Sequence, residues 1–288
     1  GVRQASIMIN NVDINEELTK EEILDKKAQA RFLRAYFYWL LLRRYGPVPL
    51  IPDETISIDE TYIGMSCPRA TYDEVVDYID KEMILAANDL PDRRDRQNIA
   101  RATKHAALAV RAKVLLYSAS PLNNPLPNDP DKFTDFVDDQ GRILMSQTYD
   151  ESKWARAAAA AKDVIDLGRY ELHIADYQDK GDNTYPATVK PPYNAKYSTK
   201  NFPDGWANID PFESYRSIFN GDLYANENEE LIFTRGNNSL ADQVNYLVRN
   251  QMPTFAGGEN RHGLTAKQCD AYDMANGCLL YTSDAADE

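Results

Sequence analysis

The sequence has few basic residues, few cysteines and histidines, and no long hydrophobic run. Its longest apolar or aromatic run, Ala35–Leu42, has eight residues and is followed directly by Arg43 and Arg44. A helix that crosses a bilayer needs about 20 such residues, so this run is too short to span a membrane. The first residues also lack the charged start, apolar stretch and cleavage site of a secretory signal.

The cysteines and histidines fit no recognised site. There are three of each, namely Cys67, Cys269, Cys278, His105, His173 and His262. Their spacing matches no disulfide framework or zinc motif, and HExxH, Walker A, GxSxG and CxxC patterns are absent from the sequence. Carboxylates and loop carbonyls are suitable calcium ligands, but no EF-hand pattern places a calcium site. We therefore assign no cofactor and no catalytic or metal-binding residue.

The shortage of basic residues excludes another class of partner. Lys and Arg number 32 against 45 Asp and Glu, which gives a net charge of -13. Nucleic acids and anionic membranes attract proteins that neutralise their phosphates, so neither is an expected partner. The length of 288 residues suffices for one large core or two modest ones.

Apolar periodicity predicts a helix over residues 20–45. Two stripes at helical spacing run along it, and they are Ala30, Leu33, Phe37, Leu40 and Ala28, Phe32, Ala35, Trp39, Leu42. A helix that is apolar on two faces lies between neighbours. On the third face, Arg31 and Arg34 are predicted to pair with acidic residues at a helix–helix boundary.

Three further helices are predicted. One starts at Thr71, which has capping-box spacing to Glu74, and the others cover residues 103–118 and about 152–167. Trp39 and Trp154 lie on apolar stripes and are predicted to be core residues. Thr71 to Thr103 is 32 residues, close to the period of about 34 in tetratricopeptide repeats.

The character of the chain changes after Tyr170. Residues 177–224 contain ten aromatics and five prolines with little periodicity. Long irregular segments of compact proteins are usually functional or disordered, and the aromatic content argues against disorder. Further on, Glu229–Arg235 is predicted to be a short strand or an extended segment, and Leu264–Met274 a short helix.

This irregular region has the side chains that a sugar-binding surface needs. Aromatic rings stack on the C–H faces of sugars, and amides bond their hydroxyls. The candidate ligand-binding residues, with Trp206 first, are Trp206, Tyr185, Tyr193, Tyr197, Tyr215, Asn194 and Asn208. Trp206 stands among turn residues in FPDGWANIDPF, where helical periodicity does not bury it. The alternative, that these aromatics pack the loops onto the helices, stays open.

Six segments in order carry a family resemblance. They are KAQARFLRAYFYWLLLRRYGPVPLIP, CPRATYDEVVDYIDKEMILAANDLP, ARATKHAALAVRAKVLLYSASPLNN, WARAAAAAKDVIDLGRYEL, NENEELIFTR and LTAKQCDAYDMANG. Together they resemble the SusD/RagB family of outer-membrane nutrient-binding lipoproteins of the Bacteroidetes. The resemblance implies a mainly α fold of tetratricopeptide-like helix pairs (the SusD-like fold), with long irregular aromatic-rich loops and minor short strands.

The resemblance also implies a function. A SusD-like protein is not an enzyme: it captures oligosaccharide at the cell surface and delivers it to a SusC-like TonB-dependent outer-membrane transporter. It is held there by an N-terminal lipid anchor, which this chain lacks. Two alternatives remain, namely capture of peptides or other nutrients by the same family, and a helical-repeat scaffold that binds proteins. The acidic pairs Asp138-Asp139 and Glu229-Glu230 are interpreted as solvated surface rather than glycosidase acids.

Family members are longer, so the resemblance implies that residues 1–277 are an internal fragment of one SusD-like domain. Residues 20–172 are expected to form its helical core and residues 173–277 its loop-rich, ligand-binding part. The last stretch, residues 278–288, reads CLLYTSDAADE, which resembles a translated sequencing adapter. We expect that tail to be non-native.

Overall fold

The architecture is that of a computed structural model, which describes residues 1–52, 67–95, 97–129, 133–178, 188, 190–219, 223, 228–233, 249–263, 265 and 271. The α-helices in this part of the chain are α1 (Val2–Asn11), α2 (Lys20–Tyr45), α3 (Tyr72–Asp89), α4 (Lys104–Ala119), α5 (Ser152–Ile165) and α6 (Pro211–Ser217). Short 3₁₀ helices cover Val12–Ile14 and Thr254–Ala256. The chain divides into a helical unit, residues 1–171 with 231–235, and a second unit, residues 172–230 with 236–288.

The helical unit is a stack in which α1 to α5 each pack against the next helix in the chain. This confirms the predicted mainly α fold. Strand pairing within the described ranges is limited to isolated bridges, such as Pro49 with Arg69. Residues 229–233 form a turn and a bend, so the predicted strand at Glu229–Arg235 is wrong over its described part. The predicted helix at Leu264–Met274 lies almost entirely outside the described residues.

Helix α2 has the predicted bounds and lies at the centre of the stack. Its N-cap Thr19 forms a capping box with Glu22, in which each side chain accepts a backbone N–H of the other residue. The stripe Ala28, Phe32, Ala35, Trp39 and Leu42 is buried as predicted. The other stripe is only partly covered, and Leu33 is exposed. One apolar face of α2 is therefore fully buried in the core, and the second is only partly buried.

The next two helices also begin where capping chemistry predicts. Thr71 and Glu74 form a capping box at the start of α3, and the Thr103 hydroxyl accepts the Ala106 N–H at the start of α4. Such caps contribute about 1 kcal/mol each. The apolar face of α3 and its C-cap Leu90 are entirely buried, and this face consists of Tyr72, Val75, Val76, Ile79, Met83 and Ala86.

A buried ion pair joins α2 to α3. The Glu82 carboxylate accepts hydrogen bonds from Arg34 Nη2 at 2.7 Å and from Arg31 Nη1 at 3.0 Å. Arg34 also donates to Ser6 Oγ on α1 at 3.1 Å, and its guanidinium lies 5.7 Å from the centroid of the Tyr78 ring. The prediction that Arg31 and Arg34 bridge to acidic residues at a helix boundary is confirmed.

Two features of the stack differ from the sequence analysis. Trp154 on α5 was predicted to be core but is 40% exposed, and Leu116 on α4 beside it is 51% exposed. The spacing of the stripe on α5 was read correctly, but this part of the face has no covering helix within the described unit. The sequence analysis also overlooked α1, whose residues Ala5 and Ile9 are buried. The helix is too short to show convincing periodicity.

His105 is buried at the start of α4, which agrees with a core position. Its Nδ1 lies 2.7 Å from the Tyr170 hydroxyl, and its Nε2 lies 3.8 Å from Asp92 Oδ1. Burial lowers the pKa of His105, and Arg169 and Lys104 lower it further, while Asp92 opposes them. Burial likewise raises the pKa of the Tyr170 hydroxyl.

The lowered pKa of His105 predicts a pH-dependent stability. An unfolded chain binds a proton at this imidazole as the pH falls below about 6.5, whereas the folded chain resists it, so the free energy of unfolding falls. The decrease is at most about 1.4 kcal/mol per pH unit between about pH 6.5 and pH 5. We expect His105→Gln to remove this slope in urea titrations followed by circular dichroism. His262→Gln, at an exposed histidine, is the control and is expected to keep the pH dependence of the free energy of unfolding. An unchanged pH dependence in His105→Gln would contradict its assignment to His105.

Candidate functional site

Two short extended segments of the second unit are joined by backbone hydrogen bonds. The Tyr177 N–H donates to the Asn208 carbonyl at 3.1 Å, and the Asp210 N–H donates to the Ala175 carbonyl at 2.8 Å. Asp210 is buried and caps α6 by accepting the Glu213 N–H at 3.0 Å. Residues 175–177 are thereby held beside residues 208–210, next to the start of α6.

Between these segments, residues 194–206 form a compact turn. The Asn194 side-chain oxygen accepts the Lys196 N–H, and its carbonyl accepts the Tyr197 and Ser198 N–H groups. The Tyr197 carbonyl accepts the Trp206 N–H at 3.2 Å. The two ends of the turn are thus bonded together, and the ring centroids of Tyr197 and Trp206 lie 5.4 Å apart.

Gly205 is required for this closure. A Cβ at this position would lie 2.1 Å from the Tyr197 carbonyl oxygen and 2.5 Å from the Lys200 carbonyl oxygen. Those same two carbonyls accept the Trp206 and Ala207 N–H groups. Only a residue without a side chain lets the backbone approach this closely, so the placement of Trp206 depends on the neighbouring glycine.

The turn, the paired segments and residues 190–193 line an open pocket of about 250 Å³. Three aromatic side chains, Tyr177, Tyr193 and Trp206, line it. Tyr193 is 76% exposed, whereas Trp206 is half-buried. The other lining residues are Lys190, Pro191, Ser198, Ala207 and Ile209. The pocket is therefore open and walled by aromatic rings, and its lining side chains include the Lys190 ammonium and the hydroxyl groups of Ser198 and the two tyrosines.

The structure brings together several of the predicted site residues. Trp206 and Tyr193 line one pocket, and Tyr197 supports Trp206 from within the turn. The amide oxygens of Asn194 and Asn208 accept backbone N–H groups of the turn, so both side chains help to hold its shape. That Trp206, Tyr193, Tyr197, Asn194 and Asn208 bind a ligand remains a prediction.

One predicted residue, Tyr215, lies elsewhere. Tyr215 is on α6, where its ring centroid is 5.1 Å from that of Phe219, and both side chains are exposed. Phe212 is exposed on the same short helix. Tyr215 is not among the residues that line the pocket, so it belongs to a separate aromatic cluster. Tyr185 lies outside the described residues.

Tyr177 and Lys190 line the pocket but are not among the predicted binding residues. Tyr177 was counted as the first aromatic of the irregular region, but its place in the pocket depends on pairing with Asn208, which sequence spacing does not indicate. The Lys190 ammonium lies 4.3 Å from the centroid of the Tyr177 ring, a cation–π contact. The sequence feature that could have indicated a role for Lys190 is its position just before Pro191 and Tyr193.

The described residues offer no alternative metal or membrane site. Over the described ranges, no group of three or more His, Cys, Asp or Glu side chains is placed to hold a metal ion. None of the helices described is long and apolar enough to cross a bilayer. One member of each acidic pair considered earlier accepts backbone hydrogen bonds: Asp138 accepts the N–H groups of Gln140 and Arg142, and Glu230 accepts the His173 N–H.

Comparison with known proteins shows a family similarity in the first part of the chain. The model of a SusD-like family, described as "Starch-binding associating with outer membrane", matches residues 1–116. This range contains α1 to α3 and most of α4, including the buried Arg34–Glu82 pair. The first 116 residues of this chain are therefore similar to a SusD-like family. The pocket at Trp206 lies outside the matched range.

Curated relatives and a solved structure agree with this similarity. The chain is 26% identical over 113 residues to a SusD-like protein (P25) of Formosa agariphila, and 32% identical over 117 residues to a SusD-like protein of Bacteroides ovatus. These matches cover 39% and 40% of this chain but only 21% and 20% of the relatives. The chain therefore spans about a fifth of the relatives it matches.

The fold extends beyond the matched helices. A crystal structure of a SusD-like protein from Bacteroides fragilis aligns with 100% of this chain and 43% of its own length, with a TM-score of 0.63 and 22% identity. At this identity the likeness shows the fold alone. It supports the SusD-like helical architecture and includes the second unit, where the aromatic pocket is located.

Proposed function

We propose that this SusD-like chain is part of a non-catalytic cell-surface protein that binds oligosaccharide at the Tyr177–Tyr193–Trp206 pocket. Similarity to a family described as starch-binding supports the ligand class. The observation that carries the proposal is the convergence of three aromatic side chains on one open pocket. The family description also associates these proteins with the outer membrane, which supports a lipid-anchored position on the cell surface.

The chemistry of the pocket fits a sugar better than a reaction. Aromatic rings stack on apolar sugar faces, while Ser198 and Lys190 offer hydrogen bonds to hydroxyls. Glycoside hydrolysis needs two carboxyl groups about 5–9.5 Å apart, and among the residues that the structure describes, those lining this pocket include no carboxylate. With a volume of about 250 Å³, the pocket suits a short segment of a longer chain ligand.

The expected affinity is modest. Covering about 80 Å² of a sugar face contributes about 2 kcal/mol at about 25 cal/mol per Å². Two such platforms reach about 4 kcal/mol, which corresponds to a Kd near 1 mM. Weak capture of this kind suits a protein that hands its ligand to a transporter, since the ligand must also be released.

Replacing Trp206 by alanine is expected to weaken oligosaccharide binding about 30-fold. The variant loses one stacking platform worth about 2 kcal/mol, and each 1.4 kcal/mol is a factor of about ten. Calorimetric titration against a panel of neutral and acidic oligosaccharides, with peptides included, measures the effect. Trp154→Ala, at a half-exposed tryptophan of the helical unit, is the matched control and leaves binding unchanged.

The same panel tests the proposal itself. Binding of an oligosaccharide that Trp206→Ala weakens and Trp154→Ala spares supports it. Binding of peptides in the absence of any oligosaccharide would replace it with peptide capture. Cleavage of a bound glycan by the purified chain would contradict the non-catalytic assignment.

We further propose that the whole protein delivers its ligand to a SusC-like TonB-dependent transporter. The family's association with the outer membrane supports this, because a captured oligosaccharide must still cross that membrane. Affinity purification of the tagged full-length protein from detergent-solubilised outer membranes is expected to recover a TonB-dependent transporter. Recovery of soluble proteins instead would favour a scaffold of helical repeats.

A further inference from the structure

We propose that the ligand of the Trp206 pocket is an acidic oligosaccharide, one that bears carboxylate or sulfate groups, rather than a neutral glucan. This inference rests on the proposed function, since it specifies the sugar that the same pocket binds. It is carried by Lys190, whose ammonium lies over the Tyr177 ring at the wall of the pocket.

The position of Lys190 suits anion binding. Its ammonium is 4.3 Å from the centroid of the Tyr177 ring, so one side faces the aromatic wall. An ammonium has three donors, and a ring face occupies the approach from one direction only. The contact also restricts a flexible side chain before any ligand arrives, which lowers the entropy that binding costs. The cation is therefore presented beside the surface on which a sugar would stack.

The second observation is the local balance of charge. The whole chain has a net charge of -13, yet residues 190–209 contain Lys190, Lys196 and Lys200 against one acid, Asp204, with the exposed Asp176 and the buried Asp210 in the paired segments beside them. Lys196 places its ammonium 4.8 Å from the centroid of the Tyr197 ring, which in turn contacts Trp206.

Lys190 thus lies against a ring of the pocket wall, and Lys196 lies against the ring that supports Trp206. A neutral sugar gains from Lys190 an ordinary hydrogen bond to a hydroxyl, whereas an acidic sugar gains a charge-assisted hydrogen bond at the same ammonium. Charge-assisted hydrogen bonds of this kind are about twice as strong as neutral ones. The ammonium therefore favours the acidic ligand over the neutral one.

The test uses matched pairs of ligands on the full chain. Hexagalacturonate is compared with its methyl ester, and a κ-carrageenan hexasaccharide with its desulfated form, so that each pair shares one sugar backbone and differs at its anionic groups. We expect at least one acidic member to bind about tenfold more tightly than its neutral counterpart. That preference should shrink as NaCl is raised from about 0.02 M to about 0.5 M, because salt screens exposed charges.

Variants separate the charge from the stacking surface. Lys190→Gln keeps the length and a hydrogen-bond donor, and is expected to abolish most of the tenfold preference while neutral ligands bind as before. Lys81→Gln on α3, which also removes one positive charge but lies in the helical unit, leaves the preference unchanged. Trp206→Ala weakens both members of each pair.

The outcomes distinguish the two proposals. Equal binding of acidic and neutral members, or tighter binding of a neutral glucan that Lys190→Gln does not affect, overturns the acidic ligand and leaves glycan binding intact. Binding of no glycan at all, acidic or neutral, overturns the proposed function together with this inference. A preference for carboxylate over sulfate, or the reverse, supports the inference and identifies the anion.

Discussion

Replacing Glu82 by alanine is expected to lower the free energy of unfolding of the helical unit by about 3–5 kcal/mol. The Glu82 carboxylate accepts hydrogen bonds from Arg34 and Arg31, and Arg34 is only 1% exposed. The variant keeps this buried guanidinium but removes its counter-charge, and the cost of desolvating an uncompensated charge is large. Urea unfolding at neutral pH, followed by circular dichroism, measures the loss.

Two further variants identify its origin. Asp77→Ala removes an ion pair with Arg156 from the same helix, but the Asp77 side chain is 62% exposed, so we expect a loss below about 1 kcal/mol. Combining Glu82→Leu with Arg34→Met removes both charges and should recover much of the stability, because apolar side chains fill the space without desolvation cost. A loss in Glu82→Ala no larger than that in Asp77→Ala would show that the pair is not a main contributor.

Replacing Gly205 by alanine is expected to abolish the pocket while leaving the helical unit folded. The new Cβ would overlap the Tyr197 and Lys200 carbonyl oxygens, which accept the Trp206 and Ala207 N–H groups. Moving them breaks two hydrogen bonds worth about 1 kcal/mol each, and Trp206 leaves its place beside Tyr197. We expect oligosaccharide affinity to fall by at least about 30-fold, as in Trp206→Ala.

The structural effect of Gly205→Ala can be measured without a ligand. The chain has three tryptophans, so the indole N–H region of an NMR spectrum is simple, and Trp206→Phe assigns the relevant signal. In Gly205→Ala that signal should shift or broaden while those of Trp39 and Trp154 stay in place. Gly263→Ala is the control, since a Cβ there meets nothing within 4 Å. An unmoved Trp206 signal would contradict the proposed constraint.

The helices could be predicted where one local signal marks a boundary and another marks a face. Thr71 and Glu74 fix the start of α3, and the periodic stripe behind them fixes its buried face. The same logic placed α2 and α4. It failed for α1, which is short and gains its burial from α2, and for Trp154, whose stripe predicts burial only if another helix covers it. Local pattern states which face is apolar, but not whether a partner is present.

The site was less predictable because its contacts are distant in sequence. Composition alone pointed to Trp206 and Tyr193, since rings in an irregular, turn-rich segment have no helical reason to be buried. Composition did not predict the pairing of Tyr177 with Asn208 or the position of Lys190. Arg34 shows the same limit, because an acidic partner was expected but Glu82, 48 residues away, could not be named.

The pairing of residues 175–177 with 208–210 has a consequence for how such a pocket changes over evolution. The intervening stretch, residues 178–207, begins and ends beside this hydrogen-bonded pair of segments. Its length and composition can therefore vary while the start of α6 stays in place. Doubling the length of a closed loop costs only about 0.6 kcal/mol of chain entropy. A change in the length or sequence of this stretch is therefore expected to alter the ligand-binding surface at little cost to the residues that hold its ends.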